Sequence, residues 1–217
     1  RIGGIGSPRL VIEGVKQLHP VQYRVIPDRI EAGTFMAAAA ITSGEVEIGN
    51  CRLDDLMAVV DKMRSIGITV EANGDGCTVA ATQRPMPSDI TTQPYPGFPT
   101  DLQAQFMTLL ALADGNSVVI EKIFPDRFMH VAELNRMAAS LRKEGSAVIV
   151  AGVGKLIAAP VMASDLRASA ALVLAALAAE GTTTINRVYH IDRGYERIEE
   201  RLNPLGARIV RQEGGSV

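Results

Sequence analysis

Three aspartates and three arginines have the spacing that chemistry would need. Asp101 stands in YPGFPTDLQAQFM, behind two prolines and a glycine and ahead of an apolar run; Asp28 and Asp165 lead two further alanine-rich runs, in IPDRIEAGTFMAAAA and MASDLRASAALVLAAL. An aspartate in such a position caps a helix, stabilising it by about 1 kcal/mol. Its carboxylate can also take a proton from a bound hydroxyl. Capping alone accounts for Asp28, which is followed by Arg29 and has no special loop before it. Arg127 in FPDRFMH, Arg167 in SDLRAS and Arg193 in HIDRGYE are expected at helix starts. There the helix dipole disfavours a cation, so each arginine needs a carboxylate partner or an anionic ligand gripped by its guanidinium fork. An aspartate precedes each arginine by one or two residues, which suits a structural ion pair. Two Asp-Arg pairs plus an Asp-Leu-Arg favour a phosphate or carboxylate ligand.

Other motifs fall short. GVGK (152–155) lacks the glycine and the following Ser or Thr of a P-loop, and RIGGIG lacks the helix that a dinucleotide fingerprint needs. His19, His130 and His190 share no ligand spacing and read as ordinary surface or core imidazoles. No Ser-His-Asp elbow is present, so the expectation is chemistry without metal or cofactor. Cys51 and Cys77 fit neither a disulfide framework nor a CxxC pair and read as buried thiols of a reducing, cytoplasmic compartment. The eight methionines lie among alanines at helical spacing and read as core.

The elements that must position these residues come as an internal repeat. Asp28, Asp101 and Asp165 are each followed at a similar distance by a turn glycine (Gly44, Gly115, Gly181) and then by a second acidic helix start (Asp55, Asp126, Asp192). One unit reads βαβαββ. Its first helix is apolar all round, as in ASAALVLAALAA, and should be buried on every side. Its second is amphipathic: Ile198 and Leu202 stand four apart among Glu196, Glu199, Glu200 and Arg201. Strands such as SVVIEKIF and TTTINRVYHI follow the glycine turns. Three units, at about 26–90, 91–160 and 161–217, predict an α/β fold: an inside-out α/β barrel with sheets outside and apolar helices within. Pro204 in LNPLG should shorten or kink the last helical turn.

With 217 residues, 47% hydrophobic and 21% charged, the chain can bury a sizeable core. A net charge of -2 argues against nucleic acid or an anionic membrane as partner. The apolar runs are too short or too broken to cross a bilayer.

YPGFPTDLQAQ, DRFMH, SDLRASAALVLAAL and YHIDRGYERIEERL closely resemble the C-terminal half of the UDP-N-acetylglucosamine 1-carboxyvinyltransferases, bacterial enolpyruvyl transferases of early peptidoglycan synthesis. The resemblance spans essentially the whole chain. It implies a fold of two inside-out α/β domains with three βαβαββ units each. It also implies transfer of enolpyruvyl from phosphoenolpyruvate to the 3-hydroxyl of UDP-N-acetylglucosamine, with release of phosphate. By resemblance, Asp101 contacts the sugar and is the base for its hydroxyl, Ile123 and Phe124 line the UDP-sugar site, and Asp165 helps proton transfer. Arg167 and Arg193 hold phosphoenolpyruvate, and Arg127 is linked to closure and product release.

The family's other half brings a Lys-Asn pair, further arginines and a mobile loop with a reactive Cys or Asp; Cys51 and Cys77 do not match that loop. Residues 1–25 are expected to be the end of the missing N-terminal domain and the linker, with 26–217 the C-terminal domain. The family also lends this domain a first strand from its N-terminus. The expectation is half an enzyme, inert alone and needing the missing N-terminal domain as partner. Rival readings are the shikimate-pathway enolpyruvyl transferase, RNA 3'-phosphate cyclase and a non-catalytic interaction module.

Overall fold

The computed structural model describes residues 1–212. Residues 1–26 are exposed throughout, including Ile5, Leu18 and Tyr23. Within them β1 (Ile2–Gly3) and β2 (Val11–Ile12) form a small antiparallel ladder with Ile2 opposite Ile12.

The first repeat contains α1 (Arg29–Ile41), β3 (Glu45–Ile48), α2 (Met57–Ser65), β4 (Thr69–Asn73) and β5 (Gly76–Ala80). Its strands form an antiparallel sheet in the order β3-β5-β4. The second repeat contains β6 (Ile90–Thr91), α3 (Gln103–Leu110), β7 (Asn116–Ile120), α4 (Met129–Arg136), β8 (Ser140–Glu144) and β9 (Ala147–Ala151). This is a complete βαβαββ unit. β6 runs parallel to β7 across the crossover helix α3, with Ile90 opposite Val119, and the sheet order is β6-β7-β9-β8.

The third repeat follows as β10 (Leu156–Ile157), β11 (Pro160–Met162), α5 (Leu166–Ala178), β12 (Ala179–Glu180), β13 (Thr184–Asn186), α6 (Tyr189–Asp192) and α7 (Ile198–Leu202). β11 pairs in parallel with β13, as β6 does with β7, and β10 pairs in parallel with β12.

The repeats are therefore not three equal copies. Among the described residues the first lacks a strand beside β3 equivalent to β6, and the third lacks the closing strand pair. An apolar groove lined in part by Phe35, Ala38, Val46, Leu177 and Leu202 adjoins β3, whose outer edge has no partner strand among the described residues.

The inside-out arrangement is otherwise as the pattern predicts. α1, α3 and α5 pack against one another, and all eight residues of α3 are buried. α2 and α4 bury one stripe each, Val59, Val60 and Met63 in the first and His130, Val131 and Leu134 in the second. Strands alternate, as in β9, where Val148 and Val150 are buried and their neighbours partly exposed. Gly33 lets α1 approach the turn before α3: a Cβ there would stand 2.5 Å from Leu102 Cδ1.

Several expectations need correction. Met36, Met63, Met107 and Met137 are core, but Met57, Met86, Met129 and Met162 are exposed, because they fall on the outer stripes or in connecting segments. TTTINRVYHI is a strand only over Thr184–Asn186 before turning into α6. The helix predicted to begin at Asp192-Arg193 is split: α6 ends at Asp192, and α7 begins at Ile198 after Arg197 in a left-handed conformation (φ 42°). Asp192 pairs with Arg211, at 2.8 Å, rather than with Arg193. Glu199 also binds Arg211, whose hydrogen bonds to it hold the carboxyl below its usual range.

Pro204 acts as expected: α7 stops at Leu202, a 3₁₀ turn spans Asn203–Leu205, and Gly206 closes it at φ 105°. Both cysteines are buried free thiols, Cys77 in β5 and Cys51 in the loop after β3. Burial, then the neighbouring Cys77, pushes the Cys51 thiol up to about 12, so it is a poor nucleophile.

Candidate active site

Asp28 and Asp165 are helix caps. Asp28 Oδ1 accepts from the backbone N–H of Ile30 at 2.8 Å and Glu31 at 3.3 Å. Asp165 Oδ1 accepts from Arg167 and Ala168, both at 2.8 Å. Asp101 departs from them. It lies inside a 3₁₀ turn, Thr100–Leu102, whose N-cap is Pro99, and its carboxylate caps nothing. The capping expected of it fails because the prolines tighten the chain into that turn one step earlier.

What the Asp101 carboxylate does instead is bind two arginines. Arg127 Nη1 donates to Oδ1 at 2.6 Å, and Arg167 Nη2 stands 3.6 Å from Oδ2. The carboxylate stays 38% exposed, while the Arg127 and Arg167 side chains are 22% and 12% exposed. It is thus oriented from the protein side and open to solvent on the other.

Behind it a buried polar network joins the N-terminal ends of the three inner helices. Tyr195 OH and Thr34 Oγ1 are 2.8 Å apart, and Thr34 also donates to the Ile30 carbonyl, so the phenol is the donor between them. Tyr195 OH then accepts from Arg167 Nη1 at 3.1 Å. Gln105 Nε2 donates to Thr34 Oγ1 at 3.1 Å and to the Asp101 carbonyl at 3.0 Å. Thr34, Gln105 and Arg167 belong to α1, α3 and α5. The converging ends bring the positive ends of the dipoles together, which attracts anions, while the Asp28 and Asp165 caps take up two N–H groups each.

The arginines are less uniform than their spacing suggests. Arg167 lies in the first turn of α5, as expected. Arg127 stands in the turn before α4, two residues ahead of Met129; its Nη1 also reaches Thr100 Oγ1 at 3.2 Å, and its guanidinium carbon lies 5.6 Å from the Phe124 ring centre. Arg193 follows the last residue of α6, at a helix end rather than a start. It is exposed, and its side chain joins no hydrogen bond or ion pair among the described residues. Its loop nonetheless lies against α5, since a Cβ on Gly194 would stand 2.8 Å from Leu166 Cδ2. Ile123 and Phe124 form the turn after β7, with Phe124 exposed on the side of Arg127.

Sequence reasoning missed the supports of this cluster: Thr34, Thr100, Gln105, Glu121 and Tyr195. Only Glu121 left a trace, as an acidic residue directly after the apolar run SVVI. It also undervalued His130, which is buried beside the site with no partner for Nε2. Burial lowers its pKa from 6.5 to about 4; the Asp165 charge opposes that and the Arg127 charge adds to it.

The folded state therefore resists protonation that the unfolded chain accepts. Stability is full above about pH 6.5 and falls as pH drops toward about 4, by roughly 3 kcal/mol for this group. Thermal unfolding of the chain and of His130→Gln across that range checks this. The variant should lose less stability on acidification, and identical slopes would refute the assignment. No group of three His, Cys, Asp or Glu residues among the described residues is disposed to hold a metal ion. No helix among them is long and apolar enough to cross a membrane.

Comparison with known proteins agrees with this architecture. The EPSP synthase (3-phosphoshikimate 1-carboxyvinyltransferase) family profile matches residues 1–202. The UDP-N-acetylglucosamine 1-carboxyvinyltransferase of Desulfovibrio desulfuricans is 56% identical over 214 residues, covering 98% of this chain and 51% of that protein. The protein of the same name from an Anaeromyxobacter species is 55% identical, covering 98% and 50%. The chain spans about half the length of the curated relatives it matches. Among solved structures, the enolpyruvyl transferase NikO from Streptomyces tendae superposes with a TM-score of 0.75 at 28% identity, over 85% of this chain and 44% of that one. EPSP synthase from Acinetobacter baumannii shares the fold, with a TM-score of 0.66 at 17% identity over 88% and 45%. By the extent of the family match, the chain belongs to the EPSP synthase (3-phosphoshikimate 1-carboxyvinyltransferase) family.

Proposed function

We propose that this chain is the C-terminal half of an enzyme that transfers enolpyruvyl from phosphoenolpyruvate to the 3-hydroxyl of UDP-N-acetylglucosamine, a cytoplasmic bacterial step of peptidoglycan synthesis. The observation that carries this reading is the open Asp101 carboxylate held between Arg127 and Arg167 where the three inner helices converge. Identity of 54–56% to relatives named for that acceptor favours the UDP-sugar over shikimate 3-phosphate.

In the reaction the sugar oxygen bonds to the carbon of phosphoenolpyruvate that bears phosphate, while the methylene carbon takes a proton. Loss of phosphate and of a methyl proton then restores the double bond. Asp101 takes the hydroxyl proton. Asp165 has Oδ1 committed to capping α5, which orients Oδ2 for proton transfer at the methylene carbon. Arg167 and Arg193 hold the phosphate and carboxylate of phosphoenolpyruvate, charge that grows on the phosphate as it leaves. Ile123 and Phe124 line the sugar site, and Arg127, pairing with Asp101 in the open state, releases it as substrate arrives and the two halves close.

Residues 1–25 are the end of the other domain and the linker, and 26–217 the catalytic half. The missing domain supplies the remaining cationic groups and the reactive loop, and lends a strand along the free edge of β3. Half of the site is then absent from this chain. The chain alone should release no phosphate from the two substrates. Joined to the N-terminal half of the Desulfovibrio desulfuricans relative, it should release phosphate with UDP-N-acetylglucosamine and not with shikimate 3-phosphate. Turnover by the isolated chain, or a preference for shikimate 3-phosphate in the joined protein, overturns the reading.

A further inference from the structure

Glu121 is a buried carboxylate, 0% exposed, that forms no ion pair with any described residue. Burying such a charge is costly unless its oxygens are filled. Here neutral donors fill them. Oε1 accepts from Thr92 Oγ1 at 2.6 Å, Ile123 N at 2.7 Å and Phe124 N at 3.0 Å, and Oε2 accepts from Thr100 Oγ1 at 2.9 Å. The first oxygen thus holds the two backbone amides of the turn assigned to the sugar site. The second holds the hydroxyl of the residue before Asp101. That hydroxyl in turn accepts from Arg127 Nη1, the nitrogen that also grips Asp101.

The chain of contacts runs from the Ile123–Phe124 turn through Glu121 to Thr100, the covalent neighbour of Asp101, so it survives when Arg127 releases Asp101. Capping the turn would need only an acceptor for two amides, and a serine or an aspartate could provide one. An ionised carboxylate with an oxygen on each side does more, because it fixes the distance between two segments 20 residues apart, 100–101 and 121–124. Bonds to a charged acceptor are also about twice as strong as neutral ones, which suits a clamp that must keep its length during closure.

We propose that Glu121 is a positioning residue for the acceptor sugar, holding the Ile123–Phe124 turn and the Asp101 segment in one geometry. This rests on the assignment of the UDP-sugar site above. Its loss should then affect the sugar and spare phosphoenolpyruvate, whose contacts come from Arg167 and Arg193.

Glu121→Gln keeps the shape but has one acceptor oxygen in place of two. If its carbonyl serves the amides, its NH2 can donate to the Thr100 hydroxyl, but that bond is neutral and the Thr100 O–H loses its acceptor; if the carbonyl serves Thr100, the NH2 meets two N–H groups. The Thr100 side is weakened in the first case and the turn side opens in the second. In the enzyme joined to its N-terminal half, KM for UDP-N-acetylglucosamine should rise about tenfold to a hundredfold, with KM for phosphoenolpyruvate unchanged. Thr100→Val should reproduce the rise and Thr100→Ser reverse it. The double variant Glu121→Gln/Thr100→Val should be no worse than the poorer single, because both cut one link.

In the chain by itself, the Ile123 and Phe124 amides should lose hydrogen-exchange protection in Glu121→Gln. Should that variant fail to fold, the Thr100 pair alone decides. An unchanged KM for the sugar, an equal rise for both substrates, or additive losses in the double variant overturn the proposal while leaving the functional reading intact. A wild-type joined enzyme that does not use the UDP-sugar overturns the reading and the proposal together.

Discussion

Replacing Asp101 with alanine in the joined enzyme is expected to lower kcat by about a hundredfold to ten-thousandfold, the range a positioned general base contributes. Asp101 is the one helix-leading aspartate of the three whose carboxylate does no capping, so the change takes away no helix cap. What it removes is the shared anion between Arg127 and Arg167, both of them partly exposed. Arg127 keeps Thr100 Oγ1 and Arg167 keeps Tyr195 OH as acceptors, so the cost to folding should be moderate beside the cost to turnover. Asp101→Asn sharpens the point. It keeps the volume and an oxygen for Arg127, yet its amide cannot take up the hydroxyl proton, so its kcat should fall nearly as far. Steady-state phosphate release with saturating substrates, beside a thermal melt, separates the two effects. Substantial turnover in either variant removes Asp101 as the base, and a collapsed melting temperature would make it a structural residue.

How much of this was legible in the sequence depended on whether a residue acts along its own segment or across segments. The repeat, the buried first helices and the Pro204 stop could be read because each is local: periodicity and a missing N–H act within a few residues. Asp28 and Asp165 were readable as caps for the same reason. Asp101 was misread as a cap because the same Asp-plus-apolar pattern is compatible with a 3₁₀ turn, and only the position of Pro99 within that turn decides between them. Arg193 was misread as a helix start because α6 is only four residues long and ends where a longer helix was expected to begin.

The supports could not be read at all. Tyr195 and Thr34 are 161 residues apart, and their contact exists only because α5 packs on α1 and the α6–α7 segment that carries Tyr195 lies against α5. The incomplete first and third repeats have a related cause. Sequence periodicity marks where a strand could form, but a strand needs a partner edge, and no strand among the described residues pairs with the outer edge of β3.

Arg167 shows how such cross-segment support translates into rate. Arg167→Ala should reduce kcat/KM for phosphoenolpyruvate about a hundredfold to a thousandfold, comparable with removing a donor aimed at developing negative charge. Arg167→Lys should still lose about tenfold to a hundredfold, because a lysine keeps the charge but not the planar fork. The structure gives the fork three restraints: Nη1 on Tyr195 OH at 3.1 Å, Nη2 near Asp101 at 3.6 Å, and the guanidinium carbon 5.6 Å from the Tyr195 ring centre. A lysine ammonium has three donors on a single nitrogen and cannot reproduce the planar placement of two. Little stability should go with either change, since Tyr195 OH keeps Thr34 and Gln105 as partners. KM for UDP-N-acetylglucosamine should stay within about threefold, because this guanidinium meets the phosphate and carboxylate of the other substrate. Varying each substrate in turn tests the split. If Arg167→Lys holds kcat/KM for phosphoenolpyruvate within about threefold, the fork is not what binds it and charge alone suffices. If the sugar suffers instead, Arg167 belongs with Asp101 and Arg127 on the acceptor side, and phosphoenolpyruvate must be held by Arg193 together with groups from the other half.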